Sequence, residues 1–133
     1  MADDQKTVLL AEDDMFLSQL LSTRLARAGV NVIKASDGEQ ILKILETTKP
    51  DLILLDIILP RRSGFEVMEQ MQSNPLLQKA PVVIISNLGQ ENDIARGKQL
   101  GALGYYVKAK TSIEDLIVKI QQFLENPNTE LFE

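Results

Sequence analysis

Five short apolar runs, separated by longer segments of helical period, constrain this chain more than any other feature. The runs are Val8–Ala11, Val32–Ala35, Leu52–Leu55, Val82–Ile85 and Tyr105–Val107. Each is rich in branched or aromatic residues and lacks two-residue alternation. Strands covered on both faces have that composition, and parallel sheets are built from them. Between the runs, apolar residues recur three and four apart. The first segment has Leu17, Leu20, Leu21, Leu25 and Ala28, and the second Ile41, Leu42 and Leu45. The third has Phe65, Met68 and Met71, and the last Ile113, Leu116, Ile117, Ile120 and Leu124. The segment from 91 to 100 gives the thinnest stripe, Ile94, Ala95 and Leu100, interrupted by Gly97.

Punctuation agrees with these bounds. Asp14 is placed to cap the first helix, Gly29 to end it, and Ser36 or Asp37 to cap the second. Pro50 and Pro81 precede the third and fourth runs, and Ser112 with Asp115 has the spacing of a capping box. The order is β-α repeated five times. Right-handed crossovers turn that into an α/β fold: a doubly wound five-stranded parallel sheet with helices on both faces, in the flavodoxin-like order 2-1-3-4-5. One domain is expected over residues 1–126, with 127–133 as a frayed tail.

Sites in such sheets form beyond the carboxyl ends of the strands, so the residue ending each run matters. The first run is followed by Glu12, Asp13 and Asp14, the third by Asp56, the fourth by Ser86 and the fifth by Lys108. Three adjacent acids raise one another's pKa unless a cation sits among them. Four neighbouring strands would bring Lys108 to that position, where it and a divalent ion could neutralise the carboxylates. Taken singly, each residue has a plainer explanation: helix caps for the acids, a turn residue for Asp56, a loop serine, a surface lysine. Their meeting at one end of adjacent strands is what favours phosphoryl chemistry.

Composition narrows the chemistry further. The chain has no Cys and no His, which removes disulfides, thiolate or imidazole metal sites, a histidine general base and a phosphohistidine. Any metal should be a hard cation on oxygen ligands. A net charge of −5 disfavours nucleic acid and anionic lipid as partners. With no bilayer-length apolar run and a start of MADDQK, a cytoplasmic location is expected.

From about Lys6 to about Leu124 the sequence resembles the receiver domain of bacterial two-component response regulators. The resemblance rests on Glu12-Asp13 after the first strand, and on Asp56, Pro60 and Gly64 in LLDIILPRRSG. It rests equally on Ser86 after the fourth strand, and on Tyr105 and Lys108 in GYYVK. It implies that Asp56 accepts a phosphoryl group from the histidine of a sensor kinase or a phosphotransfer protein. It also implies Mg²⁺ held by Asp13, Asp56 and the Ile58 carbonyl, with Glu12 acting largely through water. Lys108 and the Ser86 hydroxyl would contact phosphoryl oxygens. Movement of Ser86 would let Tyr105 turn inward and remodel the last two strands and helices for a downstream protein. A stand-alone receiver of this kind would be a monomer or a weak dimer on phosphorylation. It would catalyse its own phosphorylation and dephosphorylation without being a conventional turnover enzyme.

The sequence departs from the family pattern in places. Ala109 stands where proline usually follows the lysine, so a trans Lys108–Ala109 bond is expected. Ile58 and Leu88 replace polar residues at the pocket, which predicts slow self-dephosphorylation. Asn87 either narrows access for the phosphodonor or caps its loop. Arg61 and Arg62 either meet an acidic partner or lie in a solvated loop. Gly97 marks either an adaptable signalling face or loose packing. Two other functions compete. One is an interaction module of the same fold that works without phosphorylation. The other is a haloacid-dehalogenase-type phosphatase, whose second acid would have to stand at Ile58. A flavin site is disfavoured because the acids at the strand ends would repel its phosphate.

Overall fold

The computed structural model describes residues 5–132, so the opening Met1–Asp4 and Glu133 lie outside the described residues. The elements alternate strictly: β1 (Thr7–Ala11), α1 (Met15–Arg27), β2 (Asn31–Ala35), α2 (Gly38–Leu45) and β3 (Leu52–Leu55). They continue with α3 (Gly64–Ser73), β4 (Val82–Ser86), α4 (Glu91–Gln99), β5 (Gly104–Val107) and α5 (Ile113–Glu125). One parallel sheet runs in the order β2-β1-β3-β4-β5, as the crossover argument requires.

The strands are apolar throughout because both faces are covered. Successive side chains point to opposite sides, and the core divides accordingly. Leu9, Ile53, Leu55 and Ile84 join Ile41, Phe65 and Met68 on one face. Val8, Leu10, Leu54 and Ile85 join Leu21, Leu25, Ile117 and Phe123 on the other. Each fully buried aliphatic side chain contributes about 1.5–3 kcal/mol, which is why the register is fixed.

Helix ends follow the sequence closely. The Asp14 carboxylate accepts from Leu17 N at 3.0 Å, and Asp37, not Ser36, caps α2 by accepting from Gln40 N at 2.8 Å. Gly29 ends α1 with a φ of 85°, a conformation other residues avoid. Ser63 and Glu66 form a reciprocal capping box at α3, whereas at Ser112 the hydroxyl accepts from Asp115 N.

Several expectations need correction. Ala28 is exposed, and the buried face of α1 runs through Ser18, Leu21, Ser22 and Leu25. Ala28 fails because it is the C-cap, beyond the last residue of the helix. Ala95 is exposed too, and Gly97 is the one buried residue of α4. A Cβ on Gly97 would lie 2.7 Å from Ile84 Cδ1 and 3.0 Å from Tyr105 Cδ2, so close packing explains this glycine and loose packing does not. The tail beyond α5 is not frayed over its described length. Leu131 is buried in the α5-side core, an apolar anchor after the polar run from Asn126 to Glu130.

Candidate functional site

Register brings the strand ends together. Ala11 of β1 pairs with Leu55 of β3, and Asp56 N donates to Ala11 O at 2.9 Å, so Glu12 and Asp56 emerge side by side. Leu55 in turn pairs with Ile84, and Ser86 at the end of β4 pairs with Val107, immediately before Lys108. Four residues scattered over 97 positions of sequence thus reach one spot because parallel strands end in step.

Lys108 is the cation that the acids demand. Its Nζ lies 2.8 Å from Glu12 Oε1 and 2.8 Å from Asp56 Oδ2. The two acids are 0% and 4% exposed at the side chain and the lysine 19%. Burial, with the Asp56 charge adding to it, raises the Glu12 carboxyl pKa against the pull of Lys108 and of Asp14 N–H. Burial works to lower Lys108, but hydrogen bonds to Asp56 and Glu12 outweigh it and raise its pKa. The geometry is that of an ammonium held charged between two carboxylates.

The second Asp56 oxygen, Oδ1, accepts from Ile58 N at 3.1 Å, which fixes the carboxylate plane. The turn after β3 is tight because Gly64, the first residue of α3, packs on the Asp56 backbone. A Cβ there would lie 2.5 Å from Asp56 O, so the glycine eight positions after Asp56 is a close-approach requirement. Asp13 is exposed, and its carboxylate together with those of Glu12 and Asp56 forms a cluster whose nearest oxygens lie within 4.8 Å of one another.

These residues fit a hard divalent cation. The donors are all oxygen, one of the acids faces solvent for entry, and three carboxylates against one ammonium leave two formal negative charges. A dication would balance them.

Ser86 is fully buried, and its hydroxyl accepts from Leu88 N at 3.3 Å. The Tyr105 ring lies against the β4–α4 side of the core, over Gly97, and its hydroxyl donates to Leu88 O at 2.6 Å. Burial first, then the charges of Asp93 and Asp56, push the Tyr105 phenol up to about 12, with hydrogen bonding to Ser86 acting the other way. Ser86, Leu88 and Tyr105 are therefore linked through one backbone segment.

The rim holds both agreements and surprises. No peptide bond among the described residues is cis, so Lys108–Ala109 is trans, as expected, and Lys108–Lys110 forms a 3₁₀ turn. Asn87 is exposed. Leu88 is half-buried against the core, and Ile58, two residues after Asp56, is 53% exposed. Arg61 and Arg62 lie in a solvated loop, one of the two expectations, with side chains 69% and 40% exposed. Arg61 lies 3.5 Å from Asp37 and Arg62 2.7 Å from Glu39, with Glu66 at 3.9 Å, so both tie the β3–α3 loop to this chain's own helices. Arg61 adopts a φ of 69° in that loop, a left-handed conformation costing a non-glycine residue about 1–2 kcal/mol. Glu66 is only four positions from Arg62, but Asp37 and Glu39 begin α2, more than 20 positions away, so charge counting could not pair them.

A doubly wound sheet with this carboxylate–lysine cluster is the architecture of a phosphorelay receiver. The sequence matches the response regulator receiver domain over residues 8–121, and the chain belongs to that family, whose members act in two-component systems. It is 41% identical over 103 residues to the alkaline phosphatase synthesis transcriptional regulatory protein PhoP of Bacillus subtilis, covering 77% of this chain and 42% of that one. It is 32% identical over 117 residues to the transcriptional regulatory protein PdtaR of Mycobacterium tuberculosis, covering 87% and 55%. The chain thus spans about half the length of the curated relatives it matches. Among solved structures, the Francisella response regulator 1452 receiver domain superposes with a TM-score of 0.83 at 25% identity, covering 93% of this chain and 100% of that one. The chemotaxis response regulator CheY4 of Vibrio cholerae gives 0.78 at 26%, covering 90% and 98%. No helix among the described residues is long and apolar enough to cross a membrane.

Proposed function

We propose that this chain is a signalling receiver whose Asp56 accepts a phosphoryl group from the histidine of a sensor kinase or a phosphotransfer protein. The observation that carries the reading is the buried Asp56 carboxylate, held between Lys108 and Ile58 N–H beside two further acids. In the transfer, an Asp56 oxygen attacks phosphorus and a P–O bond forms. The P–N bond breaks, and its electron pair returns to the imidazole nitrogen, which is left neutral or takes a proton from solvent. Such transfers ask the protein for positioning and charge neutralisation and for little else.

Lys108 neutralises charge on the phosphoryl oxygens. The Ser86 hydroxyl donates to one of them after releasing its contact with Leu88 N. Asp13 and Asp56, with Glu12 and the Ile58 carbonyl, would hold Mg²⁺, which supplies Lewis-acid neutralisation when bound. Because Ser86 and Tyr105 both engage Leu88, a shift of the serine reaches the tyrosine and the α4–β5–α5 face directly. Met15 and Phe16, 85% and 80% exposed at the start of α1, offer an apolar rim on which a kinase or phosphotransfer helix can dock. The output is contact with a downstream protein. The relatives named as transcriptional regulators are about twice as long, so the expectation of no nucleic-acid partner extends only to the residues present here.

Incubation with acetyl phosphate and Mg²⁺, read by intact mass, tests this. One added phosphoryl group is expected, absent in Asp56→Asn. A mass that does not change would favour the phosphorylation-independent module.

A further inference from the structure

The segment after α5 reverses direction and crosses the open edge of the sheet. The reversal is built from Asn126 to Thr129. The Thr129 hydroxyl donates to Asn126 O at 2.6 Å and to Gln122 O at 3.3 Å, and Asn126 Oδ1 accepts from Asn128 N at 3.2 Å. Pro127 removes the donor that a longer helix would need. The chain then lays two apolar side chains on opposite sides of β5. Leu131, 8% exposed, joins the α5-side core. Phe132 is half-buried, with the Lys98 ammonium of α4 lying 5.3 Å from its ring centre.

Gly104, at the start of β5, shows how close the fit is. A Cβ there would sit 3.1 Å from Leu131 Cβ. β5 is an edge strand, and an uncovered edge is a template for pairing with another chain. Beside the segment lies a cleft of about 490 Å³ lined by Tyr105, Tyr106, Lys110, Lys119 and Glu130 among others. Lys98 is adjacent to Gly97, on which the Tyr105 ring is seated.

We propose that residues 126–132 form a strap that occupies the α4–β5–α5 face and must be displaced before a partner binds there. The inference rests on the reading of that face as the output surface. The strap presents an acid, an aliphatic and an aromatic side chain, Glu130-Leu131-Phe132, to a surface bearing lysines and tyrosines. A partner that displaces it would carry an extended segment of the same chemistry. Because Phe132 and Tyr105 meet neighbouring residues of α4, strap release and Tyr105 movement are coupled, and by linkage each biases the other.

The test uses a fluorescent peptide of residues 126–133 and a chain shortened to end at Glu125, its fold checked by circular dichroism. The shortened chain should bind the peptide saturably. The full chain should bind at least about tenfold more weakly, because its own tethered strap competes at high effective concentration. A peptide carrying Leu131→Ala and Phe132→Ala should lose binding. Binding to neither chain, or equally to both, overturns the proposal. Should the shortened chain not fold, full-length Leu131→Ala/Phe132→Ala replaces it. Amide exchange along Gly104–Val107 should then rise about tenfold, and unchanged exchange overturns the strap. Acetyl phosphate labelling of the same samples, read by intact mass, reports Asp56 chemistry separately, so failure of the strap and failure of the receiver reading are told apart.

Discussion

Replacing Lys108 with methionine tests the electrostatic core of the site. Lys108 Nζ stands 2.8 Å from each of two carboxylates that are almost wholly removed from solvent. Methionine keeps most of the stem volume and deletes the charge, leaving Glu12 and Asp56 facing one another unpaired. Breaking a buried pair by removing one partner costs about 3–5 kcal/mol, a large share of the roughly 5–15 kcal/mol that holds a domain together. The same substitution in a Glu12→Gln/Asp56→Asn background has a different consequence. There both carboxylates that contact the lysine are gone and only the solvent-exposed Asp13 remains nearby, so its half-buried ammonium is itself a burden. Lys108→Met should then cost less than about 1 kcal/mol, or stabilise. Urea unfolding of the four proteins, followed by circular dichroism in EDTA, gives a coupling energy of about 2–5 kcal/mol by this reasoning. Equal costs in the two backgrounds would mean that Lys108 acts through packing of its methylenes, and the charge argument would be refuted.

Gly97→Ala gains about 1 kcal/mol of helix propensity but sets a methyl 2.7 Å from Ile84 Cδ1. Overpacking costs about 1–3 kcal/mol, so the variant should be neutral to about 2 kcal/mol less stable, and adding Ile84→Val should relieve it; an unrelieved double variant in denaturant melts would contradict the packing. Tyr105 ionises near 12 in the fold, above its ordinary value of 10. Between those values the unfolded chain gives up a proton that the folded chain keeps, so the Tyr105 contribution to stability fades as pH rises from about 10 toward 12. Melting temperatures across that range should fall less steeply in Tyr105→Phe, and identical slopes would dismiss this assignment. Ile58→Asn places a polar group two residues after Asp56, where an exposed isoleucine now stands. The phosphoryl lifetime of labelled protein, followed by intact mass, should shorten about tenfold, equivalent to 1.4 kcal/mol of barrier; an unchanged lifetime would assign the slow step elsewhere.

What the sequence determined by itself was everything governed by local period and end chemistry. Apolar runs such as LLA and LILL have nowhere to go but a sheet covered on both faces. The cap at Asp14, the stop at Gly29 and a cap for α2 at Ser36 or Asp37 are matters of short-range hydrogen bonding and φ. The acids, Ser86 and Lys108 were legible as strand ends, and strand order then made them neighbours.

Tertiary structure alone decided how neighbours use one another. Gly97 looked like a weakness in a thin helix until the Tyr105 ring and Ile84 were seen to fill its place. Arg61 and Arg62 were free charges on paper and are paired with Asp37 and Glu39, residues that only folding brings near. Leu131 and Phe132 read as the end of a polar tail, yet Leu131 enters the core because an edge strand beginning with Gly104 leaves it room. The reason is common to all three. Period and propensity are sums over adjacent residues, whereas a clash, an ion pair or a filled hollow depends on distances between segments that the linear chain does not encode locally.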